Sequence, residues 1–374
     1  MAEEQQEYIP GKRLQAEIKR AGFEINSSKT RIQYKDSRQD VTGLVVNKKP
    51  AVKSEYWRTV KSQCHSLFQT GAFTENTSGT PKEGNIFVLE GRLNFIDQID
   101  LFNRKRNKTA LALEHDSSQK KSNTRRLLSG RERTFSRFLY YKLFYGNDKP
   151  TIICEGKTDN VYLKSAIGRL AGGYPKLVKP KSGNDPCELL VRFLNYTERS
   201  RFLLELSGGT PYLKEFVLGF DDHFKYYKAP VPAQPVILIL DNDDGFGRVE
   251  GVLKGKKYSP TIFPSTLAAS DFRKAEFIHV AHNLYIVLTP LKAKGEHTSI
   301  EDLFPQAVRD IKLGGKQFNK ENEIDIATEY GKEFFASKVV VPNKNVIDFS
   351  GFNIILTRVV QCIEHFATVT LSKP

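Results

Sequence analysis

The stretch Pro150-Thr151-Ile152-Ile153-Cys154-Glu155-Gly156-Lys157-Thr158-Asp159 finds an echo in Pro235-Val236-Ile237-Leu238-Ile239-Leu240-Asp241-Asn242-Asp243-Asp244-Gly245. Each is a short apolar run that ends in carboxylates. Neither run alternates polar with apolar residues, so both read as strands buried on two faces, as in a parallel sheet. A strand of that kind delivers the residues after it to the carboxyl edge of the sheet, where open α/β folds hold their ligands. Glu155, Asp241 and Asp243 gathered there would repel one another unless a cation neutralised them. The competing reading makes Glu155-Gly156 a helix cap and residues 241–245 a plain turn. Turn chemistry, however, does not ask for carboxylates at 241, 243 and 244 together. An all-oxygen cluster suits Mg²⁺, with Mn²⁺ as a substitute, and Mg²⁺ suits phosphodiester chemistry.

The two motifs, in this order, resemble the TOPRIM family of topoisomerases, primases and OLD-type nucleases over residues 148–345. The resemblance implies that Glu155 binds metal or moves protons and that Asp241 and Asp243 hold Mg²⁺. Ser299-Ile300-Glu301-Asp302-Leu303-Phe304 resembles the additional acidic motif of nuclease-type members, which implies a second-metal role for Glu301. Gly331-Lys332-Glu333-Phe334-Phe335-Ala336 matches a region where such proteins carry a lysine. Lys332 would there neutralise the transition-state phosphate. No topoisomerase tyrosine and no primase zinc module can be assigned, which leaves hydrolysis by metal-bound water.

Several neighbouring residues carry two readings. Gly156 lets the chain turn sharply beside Glu155. Lys157 faces a phosphate or is simply solvated. Asp159, four residues after Glu155, joins the acidic group as a metal ligand or caps the helix that follows. Asp241 and Asp243 point the same way if the strand continues through them. Asp244 then faces away or binds a second ion. Ser207, Gly208 and Gly209 precede a helix, so their N–H groups would hold a phosphate; OLD-type nucleases have a glycine turn here. The same residues equally describe a tight turn capped by Thr210.

The chain has 374 residues, a net charge of +14 and a pI near 9.4. Residues 1–150 carry +11 of that charge, with 28 Lys and Arg against 17 Asp and Glu. An uneven basic surplus points to a polyanion, most often nucleic acid. The four cysteines Cys64, Cys154, Cys187 and Cys362 are scattered, which indicates neither zinc nor disulfides. Cys154, at a strand end, reads as a packed small hydrophobe. No run reaches the ~18 apolar residues of a membrane span, and the acidic start at residues 1–7 is the reverse of a signal peptide. A cytoplasmic protein without membrane contact is the expectation. His279 and His282 read as structural.

Toward the amino terminus, residues 11–21 read as a helix ended by Gly22. Phe23-Glu24-Ile25-Asn26, Arg31-Ile32-Gln33-Tyr34 and residues 41–47 read as a small antiparallel sheet. Residues 53–70 read as a helix. Ala21-Gly22-Phe23-Glu24-Ile25-Asn26 with Lys29-Thr30-Arg31, then Arg38-Gln39-Asp40-Val41-Thr42-Gly43-Leu44-Val45-Val46-Asn47, then Glu55-Tyr56-Trp57-Arg58, resemble the end of a bacterial retron reverse transcriptase. They match its last palm motif, its primer-grip hairpin and the opening of its thumb. No Tyr-x-Asp-Asp stands upstream of residue 22. The expectation is therefore the carboxyl-terminal part of a larger RNA-directed DNA polymerase, with no DNA synthesis by this chain alone.

Residues 103–130 form a basic insert with Arg104, Lys105, Arg106, Lys120, Lys121, Arg125 and Arg126. Together with Arg58 these are candidate nucleic-acid contacts, the alternative being a solvated linker. The aromatic-rich helix 131–146 reads as core rather than as a base-stacking surface. Further on, a helix runs from a Thr158 cap to about residue 170, residues 203–206 read as a strand, 211–220 as a helix, and 276–281 with 283–288 as a strand pair. The expected organisation is a palm end over 1–50, a mainly helical thumb over 51–147, and an α/β TOPRIM domain over 148–374. That domain has a Rossmann-like, mostly parallel sheet with helices on both faces.

The two resemblances together look like the RT–TOPRIM class of retrons, which serve in antiviral defence. By implication the thumb grips the retron noncoding RNA or msDNA, and the TOPRIM domain is a Mg²⁺-dependent nuclease effector. Oligomers are compatible with this class. The alternative is a nucleic-acid-binding module whose acidic site holds a regulatory, non-catalytic metal.

Overall fold

The fold comes from a computed structural model, which describes residues 10–30, 33–77, 79–106, 128–180, 187–230, 234–321 and 323–371. The expected contacts Lys120, Lys121, Arg125 and Arg126 lie outside the described residues. The described residues form two compact units, one from those within 1–62 and 91–111, the other from those within 63–90 and 112–374.

The second unit is built on a six-stranded sheet. Its strands are β1 (Thr151–Cys154), β2 (Arg192–Phe193), β3 (Val236–Leu240), β4 (Thr261–Phe263), β5 (Phe277–Ala281) and β6 (Leu284–Leu288), in the order β4-β5-β6-β3-β1-β2. Strands β6, β3, β1 and β2 run parallel, and β5 turns back between β4 and β6. Every residue of β1, β3 and β6 is buried, as continuous apolar runs predict. One face shares a core with the helices Lys157–Arg169 and Asn353–Leu371. Ile152, Cys154, Ile237 and Ile239 meet Tyr162, Leu163, Ile355 and Val359 there. Ile153, Leu238 and Ile286 alternate to the other face, which is equally buried.

The register sets the site. Cys154 lies beside Ile239, and Leu240 lies beside Leu288. The carboxyl ends of the central strands are therefore nearly level, so Glu155 and Asp241 leave the sheet at the same edge.

The aromatic helix Gly130–Tyr140 starts with a Ser129–Glu132 capping box and continues as a wide turn over Tyr141–Tyr145. Phe135, Phe138, Tyr140, Tyr141, Phe144 and Tyr145 are all buried, and Tyr140 stacks on His223 at 4.2 Å. The Thr151 hydroxyl donates to Leu143 O at 2.8 Å. The aromatics are core, and residues 128–147 pack within the same unit as the sheet.

Three expected elements differ. Residues 203–206 are not a strand, since Glu198–Leu204 is a helix with a Thr197–Ser200 capping box. A four-residue apolar run fits either state, and here Thr197 starts a helix while β2 supplies the edge strand. Phe23-Glu24-Ile25-Asn26 forms no strand, and residues 31–32 lie outside the described residues. Phe23 and Tyr34 are exposed, so their alternation has no core to face. Asn26 instead accepts the Lys29 N–H and caps a short turn. Pairing begins only at Asp40–Val41, Leu44–Val45 and Ala51–Val52. Finally, Thr158 does not cap its helix; Asp159 does, accepting the Gly156 N–H at 2.7 Å.

The first unit also holds the helix Lys12–Arg20 and the amino-terminal part of Ser54–Thr70. Arg58 is exposed on the latter. Arg104, Lys105 and Arg106 close the helix Ile86–Arg106. Among the described residues no helix is long and apolar enough to cross a membrane.

Candidate metal centre

Four loops meet at the carboxyl edge of the second unit's sheet. The first follows β1. Glu155 Oε1 accepts the Thr210 hydroxyl at 2.7 Å, and Oε2 receives the Asp241 N–H at 3.4 Å. The second is Ser207-Gly208-Gly209-Thr210. The Gly209 N–H donates to Glu155 O at 2.9 Å. A Cβ on Gly208 would stand 2.8 Å from that same carbonyl. The turn is tight, with the Gly209 N–H engaged by backbone and Gly208 there for close approach, and Thr210 does not cap the helix but gives its hydroxyl to Glu155.

The third loop follows β3. Asn242 is fully buried and pins the loop. Its N–H donates to Thr298 O at 3.0 Å and Thr289 Oγ1 at 2.8 Å, and its side-chain amide to Thr289 O and Arg273 O. Arg273 returns Nη1 to Asn242 Oδ1 at 3.1 Å and to Asp243 O at 2.9 Å. This antiparallel bridge to Thr298 brings in the fourth loop, 298–303. The Ile300 N–H then donates to Asp241 Oδ1 at 2.8 Å, and Glu301 follows with 0% of its side chain exposed. Nothing in the sequence marks Arg273, and Thr210 reads there only as a turn cap. Both hold the site together.

Asp159, Asp241, Glu155 and Glu301 act on one another. Burial, then Glu301, pushes the Asp159 carboxyl up to about 6, against the pull of the Gly156 N–H and Lys332. Burial, then Asp159, Glu301 and Glu155, pushes Asp241 well above the usual carboxylate range. Lys332 opens a helical segment after Gly331, and its Nζ lies 3.2 Å from Glu301 Oε1. Burial alone would lower the Lys332 pKa, but Glu301 and Asp241 hold it above its ordinary value. Asp159 thus caps the helix and also stands within the electrostatic reach of the other acids.

Asp243 departs from the expectation that it shares Asp241's face. The strand stops at Leu240, and Asp243 Oδ1 turns onto the Gly245 N–H at 2.8 Å. It stays near the Glu155 turn nonetheless. A Cβ on Gly245 would lie 2.7 Å from Thr210 Oγ1 and 2.9 Å from Asp243 Oδ1. Asp244 faces solvent and meets His297 at 3.3 Å. Lys157 is exposed at the start of its helix. Burial raises the Cys154 thiol well above its ordinary value, so it packs rather than reacts. His279 Nε2 reaches His282 O at 2.9 Å and His282 stacks on Phe224 at 3.8 Å, both bracing the β5–β6 turn.

As they stand, no three His, Cys, Asp or Glu side chains among the described residues are arranged to hold a metal ion. Protein donors occupy one oxygen of Asp241 and both oxygens of Asp159 and of Glu155, the Thr158 hydroxyl reaching Asp159 Oδ1 at 3.4 Å. The donor set still fits a hard divalent cation. It is all oxygen, it gathers Glu155, Asp159, Asp241 and Glu301 beside the Lys332 ammonium, and the fully buried Glu301 Oε2 has no hydrogen bond among the described residues. Fold and site thus define a mixed α/β protein with an acidic cluster at the carboxyl edge of its parallel strands. No family model matches the chain, and no solved structure matches it.

Proposed function

We propose that the second unit is a Mg²⁺-dependent phosphodiester hydrolase of the TOPRIM nuclease kind. In this reading the chain is of the retron reverse-transcriptase kind, and the nuclease is its antiviral effector. The observation that carries the reading is Glu301. Glu301 is wholly buried and has Lys332 at 3.2 Å, but Asp159 and Asp241 press further negative charge on the same place, an excess that a divalent cation would offset. Glu155, Asp159, Asp241 and Glu301 would hold the ion, with Asp243 available from its loop.

Bound there, Mg²⁺ supplies an activated water and charge against the phosphate. The protein's own groups do the rest. Glu155, fixed by Thr210 and the Asp241 N–H, is positioned to take the proton of an attacking water. Lys332 is the cation beside the acids and meets the negative charge that grows on phosphorus-bound oxygen. Asn242 and Arg273 keep the loop from sagging away from Glu155.

The first unit offers a surface suited to the retron noncoding RNA or msDNA. Tyr56 and Phe95 meet edge-on at 6.1 Å beside Lys53, lining a cleft of about 280 Å³. Bases stack on exposed rings beside cations. The basic ends Arg104, Lys105 and Arg106 belong to the same unit.

The test is cleavage of labelled DNA and RNA by the purified protein with Mg²⁺, Mn²⁺ or EDTA. Cutting should require metal and vanish in Asp241→Ala. Metal-dependent cutting that survives Asp241→Ala overturns the assignment. Salt-sensitive binding of retron RNA without turnover in any metal would support the binding-module alternative.

A further inference from the structure

Asp302 stands next to Glu301 and keeps 4% of its side chain exposed, yet three cations converge on it. Lys320 Nζ lies 2.8 Å from Oδ2, Arg309 Nη1 3.1 Å from Oδ1 and Lys292 Nζ 3.5 Å from Oδ1. One carboxylate neutralises one of them. Among the described residues, Asp302 is the only carboxylate within ion-pair distance of any of the three. Two positive charges are left over in one place. Capping the turn needs none of this excess, because Asp302 Oδ2 already accepts the Ser299 N–H at 2.9 Å. Lys292 and Lys320 keep 47% and 34% of their side chains in solvent, and Arg309 Nε has no acceptor. Like charges crowded round one anion repel, and a second anion relieves them.

We propose that Lys292, Arg309 and Lys320 form a phosphate subsite templated by Asp302. Its ligand is a backbone phosphate of a nucleic acid, flanking the bond at the acidic cluster. The subsite and the cluster share one turn. Lys320 Nζ also donates to Ser299 Oγ at 3.1 Å, and the next residue's N–H holds Asp241. Asp302 therefore sets the three cations at a fixed offset from Glu301. Planar Arg309 and the two ammonium groups suit a phosphodiester oxygen. The inference rests on the phosphodiester reading of the acidic cluster.

The experiment is equilibrium binding of a short fluorescein-labelled DNA duplex, and of RNA with the same sequence, in EDTA across a salt series. Wild type is compared with Lys292→Ala, Lys320→Ala and Asp302→Asn. Each lysine variant should weaken binding and flatten the duplex salt slope by about 0.9, the loss of one phosphate contact. Asp302→Asn keeps the three cations and removes their anion, so it should bind at least as tightly as wild type. Lys292, the most exposed and most distant of the three, guards against a variant that merely misfolds. An unchanged salt slope in both lysine variants, with lowered thermal stability, means the cations serve only Asp302 and overturns the subsite. So does a wild type that binds neither probe. Failure of Asp241→Ala to stop cutting would remove the cluster's assignment while leaving the salt slopes to decide this one.

Discussion

Two acids, Asp159 and Asp302, show how environment rather than residue type sets charge in this region. Asp159 ionises at about 6 when folded, against an ordinary 3.8, because burial and Glu301 disfavour its charge. Between pH ~4 and ~6 the folded protein holds a proton that the unfolded chain has released, so this group makes metal-free stability fall as pH rises. Asp241 adds to the same trend. Asp302 is the reverse. Burial would raise it, but Lys320, the Ser299 N–H and Lys292 bring it to about 2. Its contribution is complete above pH ~4 and is lost as pH falls toward 2. Urea midpoints of metal-free protein across pH should show both limbs; Asp159→Asn should flatten the first, and Asp302→Asn the second. Lys332→Met leaves Glu301 buried without its cation. It should cost about 2 kcal/mol in EDTA, less than a fully buried pair because a third of Lys332 stays in water. Saturating Mg²⁺ should narrow that gap, and a gap of the same size with and without Mg²⁺ would count against the acids as its ligands.

At the scale of elements, the site is a contact between turns. Gly208→Ala would drive a Cβ into Glu155 O at 2.8 Å, and backbone cannot step aside as a flexible side chain can. A loss of about 1–3 kcal/mol in chemical denaturation is expected, along with weaker metal binding as Glu155 shifts. Thr210→Val keeps the shape but removes the hydroxyl on Glu155. It should cost about 1 kcal/mol, with Thr210→Ser close to wild type; equal losses in both would mean that the methyl group, not the hydroxyl, matters. Strands β1, β3, β5 and β6 were legible in the sequence because long apolar runs bounded by turn residues admit few other states. Residues 203–206 were not, because four apolar residues suit helix and strand alike and Thr197 tips the choice from outside the run. Phe23 and Tyr34 misled for a related reason: alternation signals a strand only when a core lies on one side of it.

For the whole molecule, metal linkage is the broadest test. Mg²⁺ should raise the melting temperature of wild type and leave Asp241→Ala unmoved, since an ion that binds only the folded state stabilises it by mass action. A rise of equal size in both would place the metal elsewhere. The sequence by itself determined that Glu155 and Asp241 stand at the ends of buried parallel strands, since apolar continuity and strand direction are local properties. Only the tertiary structure decided that Glu301 lies wholly buried against Lys332, that Thr210 fixes Glu155, that Arg273 clamps the Asn242 loop, and that Asp302 gathers three cations. Those meetings join residues far apart along the chain, as the bridge between Asn242 and Thr298 does. Packing chooses them, and no period or spacing along the chain records which side chains will share a charge.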